Sequence, residues 1–158
     1  MSLTVRRAEP GDADRIAEFA IKLVEQHVDY DPVRFSRIGS LEGMADFYAR
    51  QTEVDNAVVL VAEIEGDIIG FAYMQFEPII YAELATKVAW LHDILVDTAL
   101  RGTGAGKKMI EAMASEAKRL GANKVLLSVA ARNTDAQEFF ARSGFRTTMH
   151  EMMLVLGE

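Results

Sequence analysis

Apolar residues recur along this chain with two different periods, and the change of period marks its elements. Residues 3–7 read as an opening strand, broken by Glu9-Pro10-Gly11-Asp12, with Asp12 as the N-cap of a helix. That helix carries Ile16, Phe19, Ala20, Leu23 and Val24 at the three-and-four spacing of one buried face. A polar and aromatic connection over 27–39 leads to a second helix around Leu41, Met44, Ala45 and Tyr48. β-branched and apolar runs at 57–64 and 68–76 flank Glu65-Gly66-Asp67, which predicts an antiparallel hairpin. Residues 78–86 interrupt before a strand at 88–96, whose mostly apolar run predicts cover on both faces. A helix over 107–120 is stopped by Gly121, and 124–130 reads as a further strand. Thr134-x-x-Gln137 has the form of a capping box, opening a short helix that Gly144 ends, and 147–156 reads as a last strand. Strand, helix, helix, three strands, helix, strand, helix, strand predicts an α/β fold: one mixed sheet with helices on both faces.

The glycines of Arg101-Gly102-Thr103-Gly104-Ala105-Gly106 fall where the strand at 88–96 hands over to the helix at 107–120. Glycine lets a ligand come close to the backbone, and a helix N-terminus offers unpaired N–H groups and the positive end of a dipole, so the place suits a diphosphate. A nucleotide-triphosphate loop has four residues between its first glycine and Gly-Lys, followed by Ser or Thr. Here Gly102 and Gly106 are separated by three residues, and Lys107 is followed by Lys108. The dinucleotide fingerprint fails as well, because one residue rather than two separates Gly104 from Gly106.

The chain has 158 residues, half of them hydrophobic, enough for one core, and 1–158 is read as a single domain. The absence of cysteine rules out disulfides, thiol nucleophiles and Cys-ligated zinc, and no metal site is expected. No apolar run reaches membrane-spanning length, so the expectation is a soluble cytoplasmic protein without a membrane partner. A net charge of −7 disfavours nucleic acid as a partner, since phosphates are met by clustered Lys and Arg.

Arg101-x-x-Gly104-x-Gly106 resembles the Arg/Gln-x-x-Gly-x-Gly/Ala signature of the GNAT superfamily of N-acetyltransferases. Downstream, Asn133, Ala136, the pair Phe139-Phe140 and Gly144-Phe145 resemble that family's second cofactor motif. The resemblance runs from Leu3 to Leu156 and is strongest from Trp90 to Phe145. It implies a mostly antiparallel GNAT-like sheet in which the strands at 88–96 and 124–130 splay apart to hold the pantetheine arm of acetyl-CoA. It also implies an acetyl transfer to a primary amine, on a small molecule or on a protein lysine or N-terminus. The alternative function is a non-catalytic acyl-CoA-binding module. The cofactor residues so implied are Ile94, Leu95 and Val96 through the main chain, the run Arg101, Gly102, Thr103, Gly104, Ala105, Gly106 and Lys107, and Asn133, Ala136, Phe139 and Phe140. Tyr30, Asp31, Phe35 and Tyr73 are the candidate substrate contacts. Acetyl-CoA, an amine acceptor and a second copy of the chain in a homodimer are the partners to look for.

Direct attack by an amine on a thioester passes through an oxyanion, for which the resemblance implies a main-chain N–H near Leu95. The attacking amine must also be neutral, which for a lysine-like group of pKa about 10.4 costs roughly 4–5 kcal/mol at pH 7. His92 is the first candidate for the base and Asp93 the second. On a regular strand these two point to opposite faces, so that one alone can face the acceptor unless a bulge intervenes. Phe140 stands where many family members carry a tyrosine acid. That leaves the group that protonates the departing thiolate unassigned, with Tyr30 and Tyr73 as the phenols to consider.

Overall fold

The computed structural model describes residues 2–100 and 102–157. Its elements are β1 (Leu3–Arg7), α1 (Ala13–Tyr30), α2 (Leu41–Gln51), β2 (Ala57–Ile64), β3 (Asp67–Ile80), β4 (Ala85–Val96), α3 (Ala105–Leu120), β5 (Lys124–Leu126) and α4 (Thr134–Arg142). The strands form one sheet in the order β1-β2-β3-β4-β5; every pairing is antiparallel except that of β4 with β5, which is parallel. No helix among the described residues is long and apolar enough to cross a membrane.

The sheet separates two cores, and β2 shows why its sequence is apolar at nearly every position. Val58, Leu60, Ala62 and Ile64 face one core together with Met109, Met113 and Ala117 of α3. Ala57, Val59 and Val61 face the other, with Ile16, Phe19 and Ala20 of α1 and Tyr48 of α2. A strand covered on both faces needs apolar side chains on both parities. α1 and α2 need them on one face only, as their three-and-four spacing predicts.

Four expectations are corrected. Asp12 occupies the N-cap position of α1 but makes no cap bond to it. Its carboxylate instead accepts from the Glu9 N–H and from Arg6, each at 2.8 Å, and the Arg6 guanidinium holds the Asp12 pKa below its ordinary value. Residues 78–86 do not interrupt the sheet, because β3 and β4 continue to a tight turn at Tyr81–Glu83. Pro78 is accommodated because the ladder records no pair between Glu77↔Val88 and Ile79↔Thr86, the step at which Lys87 takes a φ of +53°. The strand expected at 124–130 pairs with β4 over three residues only. The strand expected at 147–156 belongs to no sheet in the chain.

β3 and β4 approach closely at Gly70, where a Cβ would lie 2.6 Å from the Leu95 carbonyl oxygen and 3.0 Å from Val96 Cα. Both are backbone atoms that cannot swing aside. Gly70→Ala is expected to destabilise the fold by about 1–3 kcal/mol, the usual cost of overpacking, as measured by denaturant unfolding.

Candidate functional site

The site begins with an irregularity in the ladder between β3 and β4. Met74 pairs with Leu91 and Tyr73 with Asp93, so β3 spends one step where β4 spends two and His92 is the extra residue of a β-bulge. Parity changes there. Ala89 and Leu91 belong to the α3 core before the bulge, and Ile94 and Val96 belong to it afterwards. Asp93 is thereby turned to the opposite face, toward α2, where the Tyr48 hydroxyl donates to Asp93 Oδ2 at 2.7 Å. His92 stays on that face too, its ring stacked on Tyr73 with centroids 5.4 Å apart. The two residues that a regular strand would separate share one cavity of about 500 Å³, lined by Phe47, Gln51, Tyr73, Gln75, His92 and Asp93.

Electrostatics distinguish the members of this cavity. Burial raises the Asp93 pKa above its ordinary value, against the lowering effects of the Tyr48 hydrogen bond and of His92 and His27. Burial also lowers the His92 pKa, although the Asp93 and Glu77 carboxylates pull it upward. His92 is therefore a neutral imidazole at pH 7, able to accept a proton. Tyr48 and Tyr73 are both raised, chiefly by burial and then by the negative charge of Asp93, and remain phenols. No buried side-chain oxygen among the described residues lacks a partner. Asp93 Oδ1, the oxygen that Tyr48 leaves free, is therefore available on the cavity side.

A second cavity, of about 700 Å³, opens where β4 and β5 part company. The parallel ladder ends at Trp90↔Leu126, so 91–96 and 127–130 diverge and expose main-chain groups to the gap. Its floor and walls include Ile94, Leu95, Val96, Leu127, Ser128, Val129 and Ala130. One end is closed by the N-terminus of α3, with Gly102, Gly104, Ala105, Gly106 and Lys107 at its rim. The Lys108 N–H donates to the Gly104 carbonyl at 3.0 Å, and among the described residues no backbone acceptor is recorded for the N–H groups of Ala105, Gly106 and Lys107, the first turn of a helix whose N–H groups suit an anion. Gly106 serves packing as well as access, because a Cβ on it would lie 2.9 Å from Phe139 Cζ of α4. The other wall is α4, through Asn133, Ala136, Phe139 and Phe140. Asn133, rather than Thr134, caps this helix, its Oδ1 accepting from the Ala136 N–H at 3.1 Å. Gln137 turns back instead to the carbonyls of Ala130 and Ala131.

Most residues expected at the cofactor thus line one cleft. Thr103 does not line it and donates its hydroxyl to the Leu100 carbonyl. Arg101 lies outside the described residues. Of the expected substrate contacts, Tyr73 lines the smaller cavity. Tyr30, Asp31 and Phe35 line neither cavity. Tyr30 accepts from Gln26, Asp31 pins the following turn by accepting from the Val33 and Arg34 N–H groups, and Phe35 packs edge-on against His27. The sequence reading missed Phe47, Tyr48 and Gln51 as parts of the site. Their signal was present only as the inward face of α2, which reads as ordinary core. His92 is the residue that lines both cavities.

A family model described as Acetyltransferase (GNAT) family matches residues 22–145. The chain belongs to that family. It is similar to the uncharacterized N-acetyltransferase YhfO of Bacillus subtilis (strain 168), with 26% identity over 90% of this chain and 89% of the relative. A spermine/spermidine N(1)-acetyltransferase of the same organism is 30% identical over 52% of this chain and 55% of its own. Among solved structures, a tetramutant of the BH1408 protein from Bacillus halodurans superposes with a TM-score of 0.82 at 23% identity, covering 97% of this chain and 99% of that one. The aminoglycoside N-acetyltransferase AAC(6')-Iy in complex with CoA gives a TM-score of 0.77 at 16% identity, over 98% of this chain and 94% of that one. These likenesses establish that the mixed sheet with its flanking helices is the GNAT fold.

The Tyr48–Asp93 pair generates a test. A carboxyl held above its ordinary pKa binds its proton more tightly in the folded than in the unfolded state. Its contribution is therefore most favourable in acid and declines as pH rises through the folded value. Tyr48→Phe removes the donor that moderates this shift, so the decline becomes deeper. The expected result is a loss of about 1–3 kcal/mol at pH 7 and a smaller loss near pH 4, read from denaturant unfolding at the two pH values.

Proposed function

We propose that the chain transfers an acetyl group from acetyl-CoA to a primary amine, with the larger cleft taking the donor and the smaller cavity taking the acceptor. The observation that carries this reading is the position of His92, the wall common to both cavities. A donor and an acceptor that must meet need such a junction.

The residues present fit the donor. The free N–H groups at the start of α3 suit a diphosphate, and Lys107 adds positive charge at the same rim. The diverging main chains of β4 and 127–130 suit the amide groups of a pantetheine arm. Ala136, Phe139 and Phe140 supply apolar cover. When bound, acetyl-CoA supplies an activated acyl group.

The remaining work falls to side chains. Asp93 Oδ1 attracts and orients the ammonium form of the acceptor, with Phe47 and Tyr73 among the aromatic side chains that line the same cavity. His92, neutral at pH 7, takes the proton that the amine must lose, which assigns the base to His92 and the anchoring charge to Asp93. No tyrosine lines the donor cleft among the described residues, and the site therefore works without a phenolic acid at Phe140. The relative named for spermine and spermidine agrees with a cationic acceptor.

The test is a thiol-release assay over a panel of amines, paired with calorimetric titration of CoA. Turnover on at least one amine is expected, and CoA binding without turnover on any would leave a non-catalytic binding module. His92→Ala is expected to lower kcat by about 10²-fold, with a much smaller effect on CoA affinity. In the wild type kcat/KM should rise with pH through a pKa below the usual histidine value of 6.5, because the base must be neutral, and His92→Ala should abolish that limb. An unchanged pH profile in the variant would transfer the base to another group.

A further inference from the structure

The face that carries the smaller cavity continues past it along β3. Phe71 and Tyr73 belong to the core under α1 and α2, whereas Ala72 and Met74 belong to the α3 core, so β3 alternates regularly here. Beyond the bulge the ladder to β4 runs without a further shift through Gln75↔Trp90, Phe76↔Ala89 and Glu77↔Val88. Tyr73, Gln75 and Glu77 therefore share one face, and Glu77 follows Gln75, which lines the cavity, by one strand repeat. Trp90, opposite Gln75, holds its ring centroid 6.3 Å from that of His92.

Glu77 is half-buried, and among the described residues no hydrogen bond or counter-ion is recorded for its carboxylate. Lys124, which pairs with Val88 across from Glu77, donates instead to the Thr86 carbonyl and to Asn123 Oδ1. The Glu77 charge is nonetheless felt in the cavity. After burial and Asp93, it is the next influence on both Tyr73 and His92 and draws each pKa upward. A carboxylate without a counter-ion, one repeat from a cavity suited to a cationic amine, is placed to receive a second positive charge.

The spacing sets the length of the molecule that could use both. Asp93 lies opposite Tyr73, four residues from Glu77 along the strand, which is about 14 Å. The reach of the two side chains and a hydrogen bond at each end leave roughly 8–11 Å between two bound nitrogens. With bond lengths near 1.5 Å, that is the span of an extended chain of about six to eight methylenes. Gln75 and Trp90 lie between the two carboxylates and carry no charge, which suits such a chain. We propose that the acceptor is a linear diamine whose reacting nitrogen sits at Asp93 and His92 and whose second, protonated nitrogen sits at Glu77. This rests on the acetyl-transfer reading above and adds to it the second charge and the length.

The test compares kcat/KM for diaminopropane, diaminohexane and diaminooctane with that for the monoamines of equal length. The ratio of diamine to monoamine should rise with length, to about 3- to 10-fold for the longer pairs. Glu77→Gln should bring that ratio close to one at every length, and Glu77→Asp should keep most of it, which separates lost charge from lost packing. A wild-type ratio that does not grow with length, or one that persists in Glu77→Gln, overturns the proposal while acetyl transfer stands. Should no amine turn over, acetyl transfer falls, and calorimetric titration of the same amines into the protein decides the site. Tighter binding of the longer diamines that Glu77→Gln removes supports it, and equal binding of diamines and monoamines overturns it.

Discussion

The bulge at His92 is the constraint on which the candidate site depends. Side chains on a regular strand alternate between faces, so His92 and Asp93 cannot act together on an ordinary β4. One extra residue in the ladder removes that prohibition and shifts the parity of everything after it. Asp93 leaves the α3 core for the face of α2, and Ile94 and Val96 enter the α3 core in its place. The same shift continues into the main chain that borders the donor cleft. The smaller cavity and the larger cleft, proposed to take acceptor and donor, are therefore aligned by one local feature rather than by two independent ones.

The cleft follows from a second economy in the sheet. A parallel neighbour of β4 that paired along its full length would leave no room for a ligand between them. β5 pairs over three residues and then diverges, and α4 returns across the gap with Phe139 against Gly106 at the start of α3. The glycine-rich turn thus has two duties. Gly104 has no neighbour within 4 Å of an added Cβ and faces open space, whereas Gly106 is small because a helix packs on it. A spacing motif that reads as ligand approach is, at its last position, a rule of helix packing.

Much of this was legible in the sequence, because the elements that border the larger cleft are local. A strand, a glycine turn and a helix in succession announce themselves by period and composition, and so does the short helix with Asn133, Ala136 and Phe140. The acceptor cavity is assembled from residues far apart in the chain, and there the reading was weaker. Phe47, Tyr48 and Gln51 lie on the inward side of an amphipathic helix, and nothing in a helical period separates a core aromatic from one whose hydroxyl reaches a carboxylate. Tyr30, Asp31 and Phe35 drew attention as polar and aromatic residues in a connection, yet their bonds are to their own neighbourhood. The bulge itself is not written in a run of apolar residues. It appears only once β3 is laid against β4. The last strand read at 147–156 belongs to no sheet in the chain, since an apolar composition describes a segment and not what pairs with it.

Asp93 also brings a carboxyl group into the lining of the smaller cavity. A buried carboxylate is costly, and an apolar residue at this position would pack against Tyr48 and Tyr73 with less penalty. What the carboxylate gains in return depends on the Tyr48 hydroxyl, which satisfies one oxygen and leaves the other directed at the cavity. Partial burial lowers the pKa of the imidazole beside it, which favours the neutral form of His92 against the upward pull of Asp93 and Glu77. The cavity therefore sets a carboxyl group and an imidazole side by side. In the proposed reaction a cationic amine would meet the first on arrival and, by giving up its proton to the second, become the nucleophile. The order matters: if His92 were protonated in the free protein, it would neutralise Asp93 and occupy the proton site before any amine arrived. In the proposed reaction the lowering of the His92 pKa by burial favours the neutral imidazole that an incoming amine would need.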